Sequence, residues 1–283
     1  MHETCADPQL LKAVVHGKLV HFTTDFFYLS MPTISGISHI LLDIEGTTCP
    51  VSFVAETLFP YAAEQLESFL RSHAGDGPVQ ELLKGVEEAW NKDGNPEAAM
   101  LRRSLAVDAQ ETAEVPSLEA TSAYLQLLIR QDRKLTPLKE LQGLVWEAGY
   151  ADGSLVAPLY SDVAAALRRW HKQKLVLAVY SSGSVGAQQL LYRYSVNGDL
   201  RPLFSYWFDT RTGPKQESGS YEAIAQSMGV GCEHVLFVSD AWAECRAASD
   251  CGMRVMFSDR PGNPENEAGS FEKISNYSTL EVR

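Results

Sequence analysis

The chain has 283 residues, 45% of them hydrophobic and 21% charged, with 24 Lys and Arg against 36 Asp and Glu for a formal net charge of −12. That composition supplies a buried core and argues against disorder, collagen or a long coiled coil, and at roughly 150 residues per domain the length suggests two structural units. So acidic a chain repels nucleic-acid phosphates and anionic membranes, so an anionic substrate needs local positive charge from a metal ion, a Lys or Arg, or backbone N–H groups.

The five cysteines, Cys5, Cys49, Cys232, Cys245 and Cys251, contain no C-x-x-C pair and are too sparse for a disulfide framework. They read as reduced thiols. No apolar run reaches the ~18 residues of a membrane span, and the opening Met1–Asp7 is acidic where a secretory leader is basic. The expectation is a soluble, cytoplasmic protein without membrane or nucleic-acid partners.

Residues 1–35 carry His2, His16 and His21 and an apolar stretch, Leu10 to Tyr28, broken by Lys12, His16, Lys18 and Asp25. They read as an N-terminal extension of unassigned role preceding Met31. From Ile37 a short apolar run ends in Asp43-Ile-Glu-Gly-Thr-Thr48, the pattern of a buried parallel strand feeding a loop. Residues i and i+2 leave a strand on one face, so Asp43 and Glu45 can reach one ligand, and Gly46 allows a sharp departure; the plain alternative is an acidic turn.

Residues 58–157 lack β-branched clusters. Ala62–Arg71 and Leu138–Trp146 place apolar residues three and four apart, and turn signals stand at Ala74–Pro78, Asp93–Pro96 and Glu114–Pro116. This predicts an inserted helical domain. The alternation then resumes with a helix near Ser161–Trp170 and a strand at Leu175–Tyr180 ending in Ser181-Ser182-Gly-Ser184, either an anion cradle at a helix N-terminus or simple capping by Ser182 or Ser184. A run at Tyr206–Asp209 precedes Gly213-Pro-Lys215, whose Lys is either a solvated surface residue or a point charge for phosphate. A helix at Tyr221–Met228, a strand at His234–Val238 ending in Ser239-Asp240, and a strand at Met253–Phe257 follow. Strand and helix alternate, so the fold class is α/β with a parallel sheet. In such sheets ligands bind at the carboxyl ends of the strands, where Asp43, Ser181 and Asp240 all stand. Two strand-end carboxylates, Asp43 and Asp240, suit a bridging Mg²⁺; the plain alternative is one helix N-cap and one surface turn residue.

The ordered set Asp-x-Glu-Gly-Thr, Ser, Lys, Ser-Asp resembles the haloacid-dehalogenase-type phosphotransferases. Phe59-Pro-Tyr61, Leu141-Gln-Gly-x-x-Trp146, Tyr180–Ser184 and Arg260-Pro-Gly-Asn263 narrow the likeness to their enolase-phosphatase subfamily, which acts in methionine salvage. The resemblance runs from about Ile37 to the C-terminal region. It implies a Rossmann-like catalytic core over residues 36–57 and 158–283 with an all-helical cap over 58–157, acting as a monomer with one Mg²⁺ per subunit on a small-molecule phosphate.

The same resemblance implies that Asp43 is the nucleophile, Glu45 the acid and base, and Ser181, Ser182 and Lys215 the phosphate ligands. The metal would be held by Asp43, Glu45 through its backbone carbonyl, and Asp240. Glu45 is also the candidate enolisation base, and Glu244 a supporting residue for the metal shell or a partner of Arg246 or Lys215. Gln142, Gly143 and Trp146 read as helix-packing residues. Competing readings are a phosphatase for another small ester, a carbon–halogen hydrolase, which does not need Glu45, a receiver domain, in which the Lys comes last, and a non-catalytic phosphate-binding module.

Overall fold

Apolar on both faces, the strand segments can be buried only in the middle of a layered structure, and the computed structural model places them there. It describes residues 12–15, 18–21, 33–108 and 117–283. The chain divides into Met1–Pro32 and Thr33–Arg283. In the first unit β1 (Lys12–Val15) and β2 (Lys18–His21) form an antiparallel hairpin. His2, Cys5, His16 and the turn expected at 114–116 lie outside the described residues.

In the second unit β3 (Thr33–Ile34) pairs in parallel with β10 (Glu281–Val282), close to the C-terminus. Thr33 and Ile34, counted with the extension in the sequence reading, therefore join this unit, because Ile34 is buried there and its carbonyl accepts from the Arg283 N–H. The central sheet holds β4 (His39–Leu42), β5 (Val176–Tyr180), β6 (Tyr206–Phe208), β7 (Val235–Ser239), β8 (Arg254–Ser258) and β9 (Glu272–Ile274). All its pairings are parallel, in the order β6-β5-β4-β7-β8-β9. The short strand β9 has no counterpart in the sequence reading, since Glu272-Lys-Ile is too short and polar to stand out.

Strand alternation sorts the side chains into two cores. Ile40, Leu42, Leu177, Val179, Leu236 and Val238 pack on one face with Trp170 of α7 (Val163–Lys172) and Leu191 and Tyr192 of α8 (Val185–Arg193). Leu41, Ala178, Tyr180, Val235 and Phe237 pack on the other with Tyr221 and Ile224 of α9 (Ser218–Met228) and Ala247 and Ala248 of α10 (Trp242–Asp250).

Between β4 and β5 the chain is helical. Short α1 (Val51–Phe53) runs through a π-helical turn, Val54–Leu58, into α2 (Phe59–His73), then α3 (Gly77–Asn91), α4 (Pro96–Asp108), α5 (Leu118–Arg130) and α6 (Thr136–Ala151). These helices bury a core of their own, including Leu66, Val86, Trp90, Tyr124, Leu128 and Leu141. The π turn is held by Trp146, whose indole N–H donates to the Leu58 carbonyl at 2.8 Å while its ring meets Phe59 edge to face. No described helix is long and apolar enough to cross a membrane.

Candidate active site

The sheet order places the switch in chain direction at β4. The chain leaves β4, builds β5 and β6 on one side, then crosses to build β7, β8 and β9 on the other. Leu42 pairs with Val179 on one side and Val238 on the other, so the residues following these strands emerge together at one edge. Asp43, Glu45, Ser181, Ser182, Lys215 and Asp240 all line one cleft of about 190 Å³ there, with Val51, Ala241, Glu244, Pro264 and Glu265. The structure thus brings every site residue expected from sequence to a single place.

Asp43 is buried, and Lys215 donates to its Oδ1 at 2.6 Å. The same ammonium lies 2.7 Å from Glu244 Oε2, which also accepts from the Ser239 hydroxyl at 2.9 Å. Glu244 is therefore a partner of Lys215; Arg246 faces Asp250 instead. Burial pulls the Lys215 ammonium down, but Asp43 and Glu244 more than offset it and its pKa is raised. Its loop is fixed from beneath. Tyr221 donates its hydroxyl to the Lys215 carbonyl and Tyr180 to the Gly213 carbonyl, both at 2.8 Å, and the Ser220 hydroxyl donates to the Pro214 carbonyl at 2.7 Å. The Lys215 ammonium also stands 5.6 Å from the centre of the Tyr180 ring.

After β5, Ser184 supplies the cap of α8, accepting from the Ala187 N–H at 3.3 Å. That leaves Ser181 and Ser182 to face the cleft; Ser181 is buried and its hydroxyl accepts from the Gly183 N–H, while Ser182 is exposed. Asp209, at the end of β6, accepts from the Val185 N–H and from Arg211. Burial raises its pKa, but those bonds prevail and hold it below the usual carboxylate value.

Gly46 turns the chain away from β4 at φ +66°, a left-handed conformation that strains any other residue. A methyl group there would run into the Asp240 carboxylate and the Asn263 side chain. The Gly46 carbonyl accepts from the Ser258 hydroxyl at 2.8 Å and the Asn263 amide at 2.9 Å. Arg260 forms a bidentate pair with Asp162 at 2.9 Å, both side chains buried, and its guanidinium lies between the rings of Tyr160 and Tyr277. Asp162 also accepts the Tyr277 N–H, and Tyr277 donates its hydroxyl to the Thr47 carbonyl at 3.0 Å. The Arg-Pro-Gly-Asn segment thus braces the loop that follows Asp43.

Among the described residues five carboxylates, Asp43, Glu45, Asp240, Glu244 and Glu265, line the cleft with one ammonium, that of Lys215. Burial, then the Asp43 and Glu244 charges, push Asp240 up to about 7; burial and Asp43 push Glu244 to about 7 against the pull of Lys215. Glu45 is raised by burial and by Asp43, with Lys215 opposing. Such an excess of buried negative charge fits a hard dication bound through oxygen. Among the described residues no three His, Cys, Asp or Glu side chains converge as a ready-made metal cluster. The available donors are the Asp43 and Asp240 carboxylates and the Glu45 carbonyl, which accepts none of the hydrogen bonds made in its turn. A set this sparse suits Mg²⁺, which keeps several waters and accepts substrate phosphate.

Sequence reasoning missed the residues that position these groups. Tyr180 appears there only as the end of a strand and part of a motif, and Tyr221 and Asp162 only at the start of helices. Arg260 and Asn263 were visible only as part of a motif, without a role.

Comparison with known proteins agrees with this geometry. The model of the haloacid dehalogenase-like hydrolases matches residues 37–252. Enolase-phosphatase E1 of Synechococcus sp. strain CC9902 is 46% identical over 245 residues, covering 87% of this chain and 98% of its own. Its counterpart in Synechococcus sp. strain RCC307 is 49% identical over 243 residues, covering 86% of this chain and 92% of its own. The crystal structure of the UTR4 protein from Saccharomyces cerevisiae is 34% identical with a TM-score of 0.67, covering 86% of this chain and all of that one.

Proposed function

The chain belongs to the haloacid dehalogenase-like hydrolases, among their enolase-phosphatases, and we propose that it converts 5-methylthio-2,3-dioxopentyl phosphate and water to 1,2-dihydroxy-5-methylthiopent-1-en-3-one and phosphate. This is the acireductone-forming step of methionine salvage. The observation that carries the reading is the buried Lys215 ammonium 2.6 Å from Asp43 in a cleft that also holds Glu45, Ser181 and Ser182. It joins a nucleophile, a proton carrier and a phosphate clamp in one small space.

Asp43 attacks phosphorus, forming an acyl-phosphate bond as the ester P–O bond breaks. Glu45, its carboxyl pKa raised by burial and the Asp43 charge, gives a proton to the departing oxygen. It then takes one from the water that attacks phosphorus, releasing phosphate and restoring the Asp43 carboxylate. Ser181 and Ser182 donate to the transferring phosphoryl oxygens, and Lys215 neutralises their charge while keeping Asp43 oriented. In the preceding enolisation Glu45 in its ionised form removes the proton from C1 of the diketone, the C–H electron pair forms the C1–C2 double bond, and the C2 oxygen takes up a proton.

Asp43, Asp240 and the Glu45 carbonyl would hold one Mg²⁺, which when bound reduces repulsion between carboxylate and phosphate and polarises a substrate carbonyl. Residues 58–157 act as the cap that limits water during enolisation. Every proposed group lies on one chain, so a monomer suffices.

The test follows phosphate release and enediol absorbance from the dioxoalkyl phosphate, with Mg²⁺ or EDTA, for the natural chain and Asp43→Asn. Both signals with Mg²⁺, and no phosphate from Asp43→Asn, are expected. Phosphate from simple esters without any enediol would leave a general phosphatase and refute the bifunctional reading.

A further inference from the structure

The contact of Cys232 with Cys251 lies outside the proposed chemistry. Cys232 opens the 3₁₀ turn Cys232–His234 that leads into β7, and Cys251 caps the end of α10. Their Sγ atoms are 3.3 Å apart, although the residues are 19 positions apart in sequence. Both are partly exposed, whereas Cys49 and Cys245 are buried. The strand between them runs toward the cleft and the helix returns, so the pair sits at the opposite edge of the sheet from Asp240, about 16 Å away at ~3.3 Å per residue over five strand residues.

We propose that Cys232 and Cys251 form a reversible dithiol site that peroxide converts to an intramolecular disulfide in the folded protein. Cys232 attacks one peroxide oxygen, the O–O bond breaks, and a sulfenic acid and water form. Cys251 then attacks that sulfur, expelling the hydroxyl as a second water together with the Cys251 proton. Two thiols thus lose two electrons to one peroxide. Cys251 donates its S–H to the Cys232 sulfur, which favours Cys232 as the first nucleophile and leaves Cys251, its own pKa raised by burial and by Cys232, to react second.

The bond would close a loop around β7, Asp240 and α10, tying together the strand and helix that carry Asp240 and Glu244 without touching either residue. Closing so short a loop restricts the unfolded chain. The thiols already touch, so the folded state needs only a small approach of the two sulfurs.

The experiment treats the full-length reduced chain with hydrogen peroxide, blocks remaining thiols with N-ethylmaleimide, and maps the digest by mass spectrometry. A peptide pair joined through Cys232 and Cys251 is expected, with two fewer free thiols per chain and a melting temperature higher by roughly 5 °C, all reversed by dithiothreitol. Recovery of both cysteines alkylated, or of Cys232 as sulfinic acid with no joined peptide, would overturn the proposal, as would equal thiol loss from a folded Cys251→Ser chain. Mapping the natural chain decides the matter even if that variant does not fold.

Discussion

Replacing Lys215 by Met removes the one ammonium that faces Asp43 and Glu244, and its consequences can be worked out from the structure. Lys215 is 9% exposed, with carboxylate oxygens at 2.6 and 2.7 Å. Deleting one partner of a buried ion pair costs about 3–5 kcal/mol, because the surviving charges stay desolvated. At about 2–4 °C per kcal/mol for a chain of this size, the melting temperature should fall by roughly 10 °C.

The loss should depend on pH. Because the Lys215 pKa is raised, its contribution is fully present below the ordinary Lys value, provided its carboxylates are ionised. Glu244 sits near 7 with Lys215 in place and climbs further without it. A carboxyl with a raised pKa stabilises the fold below its unfolded value, and that stability is lost as pH rises through the folded value. The deficit of Lys215→Met should therefore be largest at pH 8 and shrink toward pH 5. Urea unfolding in EDTA at the two pH values measures it, and Lys215→Met/Glu244→Gln should recover part of the loss at pH 8. A deficit of the same size at both pH values, or none at pH 8, would refute the reasoning. Phosphate release should fall at least ~100-fold, in line with the loss of one charge-stabilising donor.

Gly46→Ala should lose phosphate release ~100-fold or more, because its methyl group would displace the Asp240 carboxylate, and should lower unfolding free energy by about 1–2 kcal/mol from the left-handed backbone; near-normal turnover would contradict the packing of that turn. Burial raises the Asp162 pKa, but Arg260 and the Tyr277 N–H outweigh it and hold it below 3.8. Asp162 therefore stabilises the fold above about pH 4, and the contribution is lost as pH falls through the lower folded value. Asp162→Asn should cost about 3 kcal/mol at pH 7 and clearly less at pH 3, read from urea midpoints. A chain beginning at Gly36 should be less stable than one beginning at Met31 by about 2 kcal/mol, the value of burying Ile34 and pairing β3 with β10; equal melting curves would show that this pairing contributes nothing.

Much of this molecule is legible in short stretches of its sequence. Apolar runs with polar ends mark β4, β5, β6, β7 and β8 within a residue or two, because a strand buried on both faces has to be apolar along its length and change character where it meets solvent. Spacings of three and four mark α2 and α6 for the same local reason. The candidate site could be read because its residues fall at those strand ends, where a parallel sheet offers a cleft.

Other features depend on partners that no local pattern identifies. Sequence periodicity carries no signal for strand order, and it is the order β5-β4-β7 that brings Ser181, Asp43 and Asp240 together. Lys215 meets Asp43 across 172 residues, and Arg260 meets Asp162 across 98. Ser184 rather than Ser182 caps α8 because of how the chain leaves β5, and Glu244 faces Lys215 rather than Arg246 because of how α10 packs under the cleft. Local sequence thus determined which segments become strands and helices and which chemical groups stand at their ends. Close packing of distant segments decided which of those groups meet, since a buried charge is costly unless the fold places an opposite charge or a hydrogen-bond partner beside it.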